Sequence, residues 1–134
     1  MAQRIPIIGL MLGDVTGIGP EISARVLASG RFRHEARMVV VGDARVLELG
    51  CKDAGVSVKW KTYPNVEAID WSRDDVPLID LGNIDPAAIK RREISPESGR
   101  LAGATLKHLI DLALDGKLDG ICCAPLNKAA LHRG

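Results

Sequence analysis

The feature that most constrains this chain is a succession of apolar runs, each closed by a turn rich in glycine, aspartate or proline and each followed by residues with helical spacing. Residues 4–12 are almost continuously apolar through Ile5, Ile7, Ile8, Leu10, Met11 and Leu12. Residues 38–41, 77–81 and 120–124 repeat the pattern in shorter form. Runs without polar alternation suit strands buried on both faces, as in a parallel sheet. Val56, Val58 and Trp60 alternate instead with Ser57, Lys59 and Lys61, which predicts a half-exposed strand near a sheet edge.

Helix signals fall between these runs. Pro20 suits a first helical position and Glu21 the positive end of a helix, with Ile22, Val26 and Leu27 as its apolar stripe and Gly30 as its stop. Asp43 is an expected N-cap for a helix through Val46, Leu47 and Cys51 to Gly55. Ser95 followed by Pro96 predicts the start of a long helix that buries Ala102, Leu106, Leu109 and Ala113 and ends near Gly116. Residues 65–76 read as polar and irregular, residues 85–93 as loop or short helix, and Ala129, Ala130 and Leu131 as a last short helix. Strands alternating with helices imply crossover connections, hence an α/β layered fold with a largely parallel sheet.

Composition removes several function classes. Lys+Arg is 18 and Asp+Glu 17, so no basic field exists to draw nucleic acid or an anionic membrane. Two Trp, one Tyr and one Phe are too few for a base-stacking platform. No apolar run reaches the ~18–20 residues of a membrane span, and the start of the chain does not read as a signal peptide. The three Cys make no disulfide framework and match no zinc spacing, so the expected compartment is the cytoplasm. Cys122 and Cys123 read as small core residues on opposite faces of a strand. His34, His108 and His132 share no metal spacing, and Lys90-Arg91-Arg92 reads as a solvated patch.

Ligands of parallel α/β sheets bind beyond the carboxyl ends of the strands. Two segments stand at such ends. The first is Gly13-Asp14-Val15-Thr16-Gly17-Ile18-Gly19-Pro20-Glu21. A Walker A loop is excluded, because Pro20-Glu21 stands where a Lys-Ser/Thr pair belongs. A dinucleotide fingerprint has its first two glycines at Gly17 and Gly19 but Ile22 in place of the third, with Asp43 in the position of a ribose-binding acid. A purely structural strand-to-helix turn, with positive φ at Gly17 or Gly19, is the remaining reading. The second segment is Ala124-Pro125-Leu126-Asn127-Lys128, which reads either as an anion-binding amide and amine or as a helix start capped by Asn127.

Together these segments resemble the 4-hydroxythreonine-4-phosphate dehydrogenase (PdxA) family. The residues that carry the resemblance are Gly13 to Ile22 after the first strand, Ser95-x-x-x-Gly99 opening the long helix, and Ala124-Pro125-Leu126-Asn127-Lys128-Ala129-Ala130-Leu131. Val15-Thr16 stands where the family usually has Pro-Ala. The resemblance implies a fold like that of isocitrate and isopropylmalate dehydrogenases. It implies oxidation of 4-hydroxythreonine 4-phosphate or a four-carbon sugar-acid phosphate, with NAD or NADP and a divalent metal. It also implies a homodimer whose active site lies between two domains.

The family continues beyond the length of this chain, into a Gly-His-Thr-Glu segment and later metal-binding histidines. Residues 1–134 are therefore expected to be the N-terminal portion of a two-domain dehydrogenase, inactive by themselves, with the metal ligands outside this chain. Asp14, Thr16, Asn127 and Lys128 are the expected substrate-binding residues, with Lys128 facing an anionic group. A non-catalytic nucleotide- or phosphate-binding α/β module is the alternative.

Overall fold

The computed structural model describes residues 4–89, 93, 95–125 and 128–134. Its strands are β1 (Ile7–Met11), β2 (Arg37–Gly42), β3 (Trp60–Thr62), β4 (Val76–Asp80) and β5 (Gly120–Cys123). All neighbouring pairs are parallel, and the order across the sheet is β3-β4-β2-β1-β5. The helices are α1 (Gly19–Ser29), α2 (Ala44–Ala54), α3 (Pro96–Leu114) and α4 (Lys128–Arg133). The chain is therefore an α/β layered structure, as its sequence predicts.

Strand alternation builds a separate core on each face. Leu10, Val40 and Leu78 pack with Leu27 of α1 and Val46 and Leu47 of α2. Met11, Val39, Val41 and Ile79 pack with Ala102 and Leu109 of α3 on the other face. The unbroken valine run in β2 is thus explained: odd and even positions serve different cores. At about 25 cal/mol per Å² of apolar surface, burial of residues like these dominates the favourable side of folding.

Several local expectations are corrected. β3 begins at Trp60, so the alternating residues before it form no strand, although β3 does lie at the sheet edge. In α1 the buried residues are Gly19, Pro20, Ser23, Ala24 and Leu27, while Ile22 and Val26 are 38% and 43% exposed. Small Ser23 and Ala24 permit close approach, and on α2 the bare Gly50 receives the Pro20 carbonyl where a Cβ would collide. Cys122 and Cys123 are exposed rather than core, because β5 is the outermost strand and the described residues place no strand beyond it. Within the 65–76 stretch, Asn65 caps a short 3-10 turn (Val66–Ala68) that buries Val66 and Ile69. The 85–93 stretch holds a second such turn at Pro86–Ala88. Lys90-Arg91-Arg92 and Asn127 lie outside the described residues.

Asp43 ties the elements together at the carboxyl edge of the sheet. It is 1% exposed and accepts hydrogen bonds from the Arg45 amide (2.9 Å), Arg45 Nε (3.0 Å), Arg45 Nη2 (2.8 Å) and the Ile84 amide (2.9 Å). Burial alone would push its carboxyl up. The Arg45 side chain and the Ile84 and Arg45 amides outweigh that and hold it below the ordinary aspartate range. Removing these bonds in Asp43→Ala should cost about 2–4 kcal/mol in denaturant melts. Because the folded carboxyl is depressed, its stabilisation is present above the unfolded value and lost as pH falls through the folded one. Asp43→Asn should therefore show a shallower loss of stability than wild type below about pH 4, measured as melting midpoint against pH.

Candidate functional site

β1 and β5 are adjacent, so the two segments singled out in the sequence emerge side by side. The Ala124 amide donates to the Met11 carbonyl at 3.0 Å, and the Asp14 amide donates to the Pro125 carbonyl at 3.1 Å. This second bond joins the glycine loop to the segment after β5. Gly13 makes the join possible. Its φ is +86°, and a Cβ there would sit 2.7 Å from the Pro125 carbonyl oxygen.

The expected positive φ at Gly17 or Gly19 is not found; the left-handed residue is Gly13. Gly19 is instead required by crowding, since a Cβ would lie 2.5 Å from the Leu12 carbonyl oxygen. Gly17 is spacious, with the Asp14 oxygen 3.7 Å from the same added atom. The turn is thus closed by a left-handed residue at its start and a tight contact at its end.

Asp14 and Thr16 are both buried and bind each other. Asp14 Oδ1 accepts from the Thr16 amide at 2.9 Å and from Thr16 Oγ1 at 2.7 Å. The same arrangement recurs at Asp70 and Ser72 in a loop elsewhere, with bonds of 3.0 and 2.6 Å. Its local effect is to hold a turn rigid. Lys128 is the first residue of α4 and is exposed. Its helix packs on α3: Ser95 caps α3 by accepting from the Ser98 amide at 3.1 Å, and the bare Gly99 receives the Ala130 carbonyl of α4. The structure therefore brings Asp14 and Thr16 together and joins their loop to the segment after β5.

Two polar residues at this edge escaped the sequence reading. Asn83, in the loop after β4, donates through Nδ2 to Thr105 Oγ1 at 3.3 Å, and Thr105 donates to the Leu101 carbonyl at 3.0 Å. Asn83 Oδ1 is buried without a partner. A polar residue directly after an apolar strand was the available signal; its link to a threonine on α3 was not, since the two are far apart in sequence. A small cavity lined by Met11, Gly13, Gly42, Ile84 and Thr105 lies beside them.

Among the described residues neither the dinucleotide fingerprint nor a metal-ligand cluster is assembled. Asp43 is consumed by its bonds to Arg45 and Ile84 and cannot serve a ribose, and Gly19 is pressed against backbone. Among the described residues no three His, Cys, Asp or Glu side chains come together as a cation would require. No described helix is long and apolar enough to cross a membrane.

A five-stranded parallel sheet with helices on both faces, its loops after β1 and β5 joined at the carboxyl edge, defines an α/β protein of the isocitrate-dehydrogenase-like class. Residues 34–134 match the family described as pyridoxal phosphate biosynthetic protein PdxA, and the chain belongs to that family. It is 37% identical over 134 residues to the D-threonate 4-phosphate dehydrogenase of Cupriavidus necator, covering 100% of this chain and 40% of that relative. Among solved structures it is similar to a 4-hydroxythreonine-4-phosphate dehydrogenase from Burkholderia phymatum, with TM-score 0.88 and 33% identity over 98% of this chain and 40% of the other. The corresponding enzyme from Klebsiella pneumoniae gives a TM-score of 0.82 at 30% identity over 96% of this chain and 39% of the other. The chain thus spans about 40% of the length of the relatives it matches.

Alanine at Gly13 or Gly19 should destabilise the fold by about 1–3 kcal/mol, from the left-handed backbone at the first and overpacking at the second. Gly17→Ala should change the denaturation midpoint little, because its site is open. Equal losses at all three glycines would contradict this account of the turn.

Proposed function

We propose that this chain is the N-terminal part of a two-domain dehydrogenase that oxidises a phosphorylated four-carbon hydroxy acid. The substrate is D-threonate 4-phosphate or 4-hydroxythreonine 4-phosphate, and the oxidant is NAD or NADP. The observation that carries the reading is the 37% identity to a D-threonate 4-phosphate dehydrogenase along the entire 134 residues. It includes the two loop segments that converge beyond β1 and β5. In this reading the full-length protein is a cytoplasmic homodimer with a divalent metal. In this reading its ligands lie outside these 134 residues.

The work left to these residues is binding and shaping. Asp14 and Thr16 rigidify the loop that forms one wall of the cleft, and the Thr16 hydroxyl oxygen retains acceptor capacity. Lys128, exposed at the start of α4, would hold the anionic substrate through its ammonium. Rigid walls serve a hydroxy acid because the reacting carbon must be held in one orientation.

A chain extended to the length of its relatives should reduce NAD or NADP with one of the two substrates, followed by nicotinamide absorbance. The 134-residue chain should reduce neither at any divalent-metal concentration, and turnover by it alone would overturn the proposal. In the full-length enzyme, Lys128→Ala should raise KM or lower kcat at least about tenfold, the scale of a charge-assisted contact worth ~1.5–3 kcal/mol. Unchanged kinetics with an unchanged melt would return Lys128 to a helix-start role.

A further inference from the structure

The end of the sheet opposite the candidate site carries a groove of about 250 Å³. It lies at the amino-terminal starts of β2 and β4. Its apolar wall is Phe32, Met38, Trp71 and Pro77, and Arg33 and Arg37 stand beside that wall. The Arg37 guanidinium lies over the Trp71 ring, 5.7 Å from its centroid. A second hollow, sharing Arg33, Asp74 and Asp75 with the first, adds Lys59.

The charges are unequal. Asp75 is already paired with Arg73 at 2.6 Å. Among the described residues Arg33, Arg37 and Lys59 have no carboxylate partner, and Asp74 is the remaining acid in these linings. Exposed arginines on a protein surface usually face carboxylates or water alone. Here two of them stand at a concave apolar wall with an indole, which is the composition of a small-ligand site. Guanidinium forks favour phosphate oxygens. The volume lies below the roughly 300–1,000 Å³ of pockets for drug-sized molecules, so a single ring with one charged group suits it.

We propose that this groove binds a small phosphate monoester carried on a planar apolar ring, with Arg33 and Arg37 on the phosphate and the Phe32, Met38, Trp71 and Pro77 wall against the ring. The site is independent of the dehydrogenase reading: it lies at the other end of the strands from Asp14, Thr16 and Lys128.

Phenyl phosphate is the probe. In a Trp60→Phe background, which leaves Trp71 as the one indole, it should quench fluorescence saturably, with calorimetry giving the same affinity. Arg37→Ala and Arg33→Ala should each weaken binding at least about tenfold, while Arg37→Lys should recover part of the loss. Both arginines are exposed, so circular-dichroism melts should show each variant folded, with Arg33→Ala matching wild type. Inorganic phosphate and phenol should each bind more weakly than phenyl phosphate. The proposal is overturned by absence of saturable binding, by binding indifferent to both arginines, or by inorganic phosphate binding as tightly as the ester.

Discussion

The structure depends on a buried charge that has been fully answered. Asp43 sits where β2 ends and α2 begins, nearly without solvent, and a carboxylate there is tolerable only if its oxygens find donors. Arg45 supplies them from the first turn of the same helix, and Ile84 supplies one from the loop after β4. One side chain thereby fixes the start of a helix, the end of one strand and the path of the chain leaving its neighbour. The same commitment removes it from any ligand. An aspartate closing the second strand of a parallel α/β unit has the sequence position of a ribose-binding acid and the physical role of a cap.

A second constraint is how closely backbone approaches backbone at the carboxyl edge. The Asp14 amide reaches the Pro125 carbonyl because Gly13 is left-handed and bare, and α1 can start beneath the Leu12 carbonyl because Gly19 has no Cβ. α4 lies on α3 by the same device at Gly99. Removing side chains at these points lets separate loops act as one surface. The Asp14–Thr16 pair adds stiffness by satisfying polar groups inside the turn.

The outer strand shows the converse. β5 is paired on one side only, and its cysteines, read from sequence as core, are exposed. The apolar flank of α1 at Ile22 and Val26 is likewise uncovered. Hydrophobic spacing records that a residue prefers burial; within these 134 residues, about 40% of the length of the relatives, no neighbour covers these positions among the described residues.

What the sequence by itself determined is local or periodic. Continuous apolar runs specified parallel strands, Asp43 and Ser95 specified helix starts, and the glycine loop with the Pro125 segment specified the family, because each signal lies within a few neighbouring residues and reflects backbone sterics or a short-range hydrogen bond. Only the tertiary structure decided what depends on distant parts meeting. It placed the left-handed turn at Gly13 rather than Gly17 or Gly19, since the controlling atom belongs to Pro125, more than a hundred residues away. It joined Asn83 to Thr105 and chose Ser23 and Ala24 over Ile22 and Val26 as the buried face of α1. Those outcomes follow from steric fit between elements, and spacing within one element carries no information about the shape of the next.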